Sequence, residues 1–71
     1  MAQQEIIEVL EKTKKPMSRT EIAQELKMDK ILISHSIMRL IKGREIKVME
    51  INRHQALELY KCKRRMRLYY I

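Results

Sequence analysis

The chain has 71 residues with a formal net charge of +7, and it contains one glycine, one proline and one cysteine. A chain this short forms one domain, taken as 1–71, and buries only about 60% of the surface its unfolded form exposes, which leaves little room for a deep catalytic pocket. A single cysteine, Cys62, excludes an internal disulfide and an all-cysteine metal site, and a single glycine excludes a glycine-rich phosphate loop.

The first element is an amphipathic helix from Gln3 to Lys14. Ile6, Val9, Leu10 and Thr13 recur at three- and four-residue spacing, with most charges on the other side. Pro16 ends it, because the residue before a proline is pushed out of helical geometry. A second, two-turn helix opens at Ser18-Arg19-Thr20-Glu21, which has the form of a capping box. Ile22, Ala23 and Leu26 make its buried stripe. A third helix runs from Lys30 to Lys42, with Asp29 as its cap and Gly43 as a left-handed stop. At about 100° per residue, Ile33, Ile37, Leu40 and Ile41 share its inner face. Ile31, Leu32, His35, Met38, Arg39 and Lys42 lie opposite.

Arg44 to Ile51 is expected to be a strand, with Ile46 and Val48 on one face and Glu45 and Lys47 on the other. Arg65 to Ile71 alternates Met66, Leu68 and Tyr70 against Arg67 and Tyr69, and the two strands can pair antiparallel. Between them stand two readings. A long hairpin would extend both strands through Asn52–Lys63. A short helix over Arg53–Tyr60 is preferred, since Asn52 to Gln55 is a second possible cap and Gln55 to Tyr60 holds no β-branched residue.

Charge is divided unevenly along this layout. Residues 1–29 hold five cations against six acids, net −1, whereas residues 30–71 hold eleven against three, net +8. Such asymmetry implies that one side of the molecule meets a polyanion, with nucleic acid preferred. An anionic membrane surface is the weaker alternative, because the chain has no Trp or Phe to dock an amphipathic helix. No apolar run approaches the roughly 20 residues of a membrane span. Glu5, Glu8 and Glu11 stand where a secretory signal would be positive. A cytoplasmic location is therefore expected.

Met17-Ser18-Arg19-Thr20-Glu21-Ile22-Ala23-Gln24-Glu25-Leu26 resembles the segment that opens the helix-turn-helix of winged-helix transcription regulators. Ile33-Ser34-His35-Ser36-Ile37-Met38-Arg39-Leu40-Ile41-Lys42-Gly43 is similar to their recognition helix and its exit. The resemblance covers residues 3–51 well and the rest loosely. It implies an α+β winged helix-turn-helix with three helices and a small antiparallel hairpin, here with the short helix between the strands. Two departures stand out. The turn reads Lys27-Met28-Asp29 where the family often has glycine, and the simple wing loop is replaced by a helix and a basic turn.

On this reading the third helix enters the major groove of double-stranded DNA, since a rod about 10–12 Å across fits a groove about 12 Å wide. Lys30, Ser34 and His35 are candidates for bases or phosphates, Ile31, Leu32 and Met38 for thymine methyls, and Arg39 and Lys42 for phosphates. Ser18, Arg19 and Thr20 at the second helix's start could hold a phosphate or serve as plain capping. Lys61, Lys63, Arg64, Arg65 and Arg67 form a basic wing tip for a backbone or minor groove. Ile31 and Leu32 also suit the core or a dimer contact. Tyr60, Tyr69 and Tyr70 are assigned to packing rather than to stacking on RNA bases. His35 and His54, with one distant cysteine, do not make a metal site. No nucleophile, base and acid come together, so an enzyme is not expected and neither is a cofactor.

The implied function is sequence-specific duplex DNA binding by a transcription regulator, paired as a homodimer through the first helix or the C-terminal strand. Two alternatives are an RNA-binding module, and a protein-interaction module that uses Ile31, Leu32 and Met38.

Overall fold

The computed structural model describes residues 2–71. Its elements are α1 (Ala2–Thr13), β1 (Met17–Ser18), α2 (Arg19–Leu26), α3 (Lys30–Lys42), β2 (Lys47–Ile51), α4 (Arg53–Tyr60) and β3 (Met66–Tyr70). The three strands form one antiparallel sheet in the order β1-β3-β2. This is an α+β fold, and its helix over Arg53–Tyr60 decides against the long hairpin.

Local chemistry explains the helix starts. At α2, Ser18 Oγ accepts from the Glu21 amide at 3.2 Å and Glu21 Oε1 accepts from the Ser18 amide at 3.0 Å, closing the capping box. Asn52 and Gln55 repeat the arrangement at α4, with 2.9 and 3.3 Å bonds. Asp29 Oδ1 accepts from the Ile31 amide at 2.8 Å at the start of α3. Each cap satisfies amides that have no partner inside their own helix.

The stops follow a different rule from the one expected. Gly43 is not left-handed: its φ is −82°, and Arg44 takes the left-handed position at φ 58°. The Glu45 amide donates to Leu40 O at 2.9 Å and the Arg44 amide to Ile41 O at 3.0 Å. That is a Schellman closure with Arg44 one residue beyond the glycine. Lys14, Lys27 and Lys61 are also left-handed, so every helix is followed by a basic residue at positive φ. The Lys27 conformation, φ 55° and ψ 45°, forms the tight turn between α2 and α3 without glycine.

The main core joins α1, α2 and α3 to one face of the sheet. Ile6, Ile22, Ile33 and Leu40 are fully buried there, beside Leu10, Met17, Ala23, Ile37 and Ile46. Burying each of the Ile, Leu and Met side chains contributes about 1.5–3 kcal/mol. β1, which the sequence reading missed, pairs Met17 with Tyr69 and Ser18 with Leu68. β2 starts at Lys47, not Arg44, so Ile46 is a buried residue before the strand while Val48 is exposed.

Opposed residues of an antiparallel pair share a face. Met17, Tyr69 and Val48 therefore lie on the helix side of the sheet, with Arg67 and Glu50 next along it. Leu68, Met66 and Ile51 point the other way. There Ala56 of α4 covers Ile51 and Leu68 in a second, smaller core, edged by Tyr60, Cys62 and Met66. α4 thus braces the back of the hairpin and leaves its front to α2 and α3.

Candidate nucleic-acid interface

α3 presents its outer face to solvent. Ile31 is 68% exposed and Met38 69%, and Lys30, Leu32, His35, Arg39 and Lys42 are exposed as well. The same helix buries Ile33, Ser36, Ile37 and Leu40. One side of the rod is therefore fixed by the core, and the other is free along the whole length of the helix.

β3 stands beside α3 rather than away from it. A hollow of about 310 Å³ opens between them, with Ile37, Met38, Ile41, Val48 and Tyr69 along it and Arg19, Ser34 and Arg67 beside them. The Arg19 guanidinium donates to Ser34 Oγ at 3.0 Å, tying the start of α2 to the middle of α3. A second hollow, also about 310 Å³, adjoins the first and is lined by Ser18, Arg19, Thr20, Arg65, Met66, Arg67 and Tyr69. The two share Arg19, Arg67 and Tyr69. Further along α3, His35, Met38, Arg39 and Lys42 line a shallower depression.

Three arginines from two distant parts of the chain thus meet at one wall. They do so because β1 draws the start of α2 onto β3: Ser18 sits opposite Leu68, one residue from Arg67. Arg65 is partly engaged, its Nη1 lying 3.6 Å from Glu50 Oε1. Glu50 is also the direct cross-strand partner of Arg67. In sequence the run from Lys61 to Arg67 has no acid, but strand pairing brings one to it.

A family model described as the ribonuclease R winged-helix domain matches residues 4–58, from the first turn of α1 into α4. The chain belongs to this family. Comparison with curated proteins and with solved structures gives no significant match.

Ser18 aside, the expected site residues within this winged-helix domain fall into three groups. Arg19, Thr20, Ser34, Met38, Arg65 and Arg67 meet at the two adjoining hollows. Lys30, Ile31, Leu32, His35, Arg39 and Lys42 lie on the free side of α3. Lys61, Lys63 and Arg64 are exposed in the connection from α4 to β3 and line neither hollow. The basic run is accordingly not one wing tip: Lys61 closes α4, while Arg67 belongs to β3 itself. Ser18 is 4% exposed with its hydroxyl engaged in the capping box, so it shapes the wall from beneath.

Val48 and Glu50 are not among the site residues expected from sequence, and Tyr69 is expected only to pack the sheet. Their placement depends on β2–β3 register, for which a lone chain gives no signal. Tyr60 is likewise expected only to pack. Its phenol is raised above the ordinary value of 10.0, first by burial and then by the Glu21 carboxylate, which places the end of α4 close to the α2 cap. Among the described residues no group of His, Cys, Asp or Glu is arranged to hold a metal ion. No helix among them is long and apolar enough to cross a membrane.

Proposed function

We propose that this winged-helix domain binds double-stranded DNA, with α3 in the major groove and the arginine wall on the flanking backbone. The observation that carries this reading is the juxtaposition of the exposed side of α3 with Arg19, Arg65 and Arg67. A duplex lying on α3 would come alongside Arg19 and Arg67, because Ser34 and Met38 of α3 line the same hollow as those two arginines. Each phosphate so neutralised releases counterions, which supplies affinity independent of sequence. Discrimination would come from Lys30, Ile31, Leu32, Ser34, His35 and Met38 at base edges.

The role that follows is a cytoplasmic transcription regulator that acts by occupancy and not by catalysis. Homodimerisation would double a small set of base contacts. The test is a fourfold charge reversal, Arg39, Lys42, Arg64 and Arg65 each to Glu. Duplex binding is expected to disappear while the circular dichroism spectrum stays unchanged. Unaltered affinity would remove the claim.

A second reading, RNA binding, is favoured by the family match itself, because the family takes its name from a ribonuclease. The basic wall would serve the backbone of either polymer, whereas α3 favours B-form DNA, since the major groove of an RNA helix is too deep and narrow to be read. Competition between a DNA duplex and a folded RNA at matched salt separates the two. Tighter binding of the RNA would reassign the site.

A further inference from the structure

We propose that the two adjoining hollows between α3 and β3 hold a single unpaired nucleotide, with its base in one and its phosphate in the other. This rests on the reading that the α3–β3 wall binds nucleic acid, and it adds a ligand that a paired duplex does not offer. An unpaired nucleotide joins a flat, largely apolar base to an anion through a sugar. The hollows have the same division. The first has an apolar floor of Ile37, Ile41 and Val48 together with Tyr69. The second is lined by Arg65, Thr20 and Ser18.

Arg19, Arg67 and Tyr69 belong to both, so a ligand spanning the pair would meet two guanidinium groups and an aromatic residue where the hollows join. Among the described residues neither Arg19 nor Arg67 forms an ion pair. Arg19, whose Nη1 donates to Ser34 Oγ, keeps its other donors for a phosphate or the edge of a base, and Arg67 offers its guanidinium with Glu50 opposite it across the strands. At about 310 Å³ the apolar hollow falls at the lower end of the range that holds small ligands, about 300–1,000 Å³. A base still stacked in a duplex cannot reach its floor, whereas one at an overhang or a bulge can.

The experiment compares three duplexes of one sequence: blunt, with one unpaired 3′ nucleotide, and with an abasic 3′ residue that keeps sugar and phosphate. The set is made in DNA and in RNA and titrated against the full chain. In at least one polymer the overhang duplex is expected to bind about fivefold to a hundredfold tighter than the blunt one, and the abasic duplex, which keeps only the phosphate contact, to lose most of that gain. Val48→Trp, which fills the apolar hollow from an exposed position, should bring the overhang-to-blunt ratio down to that of the abasic duplex. Equal affinity for overhang and blunt duplexes in both polymers overturns the proposal, as does an abasic duplex that keeps the full advantage. Binding of no duplex at all would overturn the reading of the wall as well. Binding without an overhang preference overturns the nucleotide site alone.

Discussion

Replacing Glu50 by Gln should tighten nucleic-acid binding, although it removes the ion pair with Arg65. The acid sits opposite Arg67 in β3 and 3.6 Å from Arg65, so it offsets part of the charge that a phosphate would meet. Both partners are well exposed, at 74% and 50%, and such a pair contributes about 0–1 kcal/mol to stability. Folding should therefore change little. A unit charge about 4 Å away is worth about 1 kcal/mol in water, which sets a gain of up to about fivefold at low salt. If one more arginine becomes fully available, the plot of log affinity against log salt should steepen by about 0.9. Fluorescence anisotropy with a labelled duplex, from 50 to 300 mM salt (about 14 to 6 Å of screening length), measures both quantities. Glu58→Gln on α4 removes an exposed acid that lines neither hollow, and it serves as the control. Parallel salt plots for E50Q and the native chain, or weaker binding by E50Q, would refute the placement of phosphates on this wall.

Other expectations concern stability. Leu40→Ala empties a fully buried position in the main core and should cost about 2–5 kcal/mol, enough to leave so small a domain largely unfolded in a thermal melt. Lys27→Gly relieves a left-handed non-glycine residue and should stabilise by about 1 kcal/mol, raising Tm by about 4–8 °C, while a lower Tm would contradict the strain. Because the folded-state pKa of Tyr60 lies above 10.0, the native state holds the proton more tightly, so stability is intact below pH 10 and falls as pH rises through the folded value. Urea unfolding of Tyr60→Phe against the native chain should show a difference that changes only above pH 10. A constant difference would mean that the phenol does not face Glu21 as described.

What could be read from the chain alone was whatever is encoded within four residues. Ser18 with Glu21, Asn52 with Gln55, and Asp29 each announce a helix start, because the cap and the amide it satisfies are neighbours in sequence. Apolar spacing likewise gave the buried and free sides of α3. The pairing that makes the site was not local. β1 is two residues long and has no alternation to detect, yet it carries Arg19 to Arg67. Glu50 reaches Arg65 across α4, and Tyr60 reaches Glu21 across most of the fold. Gly43 misled for a subtler reason: α3 closes one residue later, and Arg44 accepts the unfavourable conformation.

The four left-handed residues that follow the helices are Lys14, Lys27, Arg44 and Lys61, and the chain's one glycine is at none of them. Glycine at all four would relax the backbone, but it would also lower the formal charge from +7 to +3. Each cation stands at the electronegative end of a helix, where the aligned peptide dipoles welcome it. Thermal robustness and attraction to a polyanion are in this way set against each other at the same four positions, and the composition of the chain favours attraction.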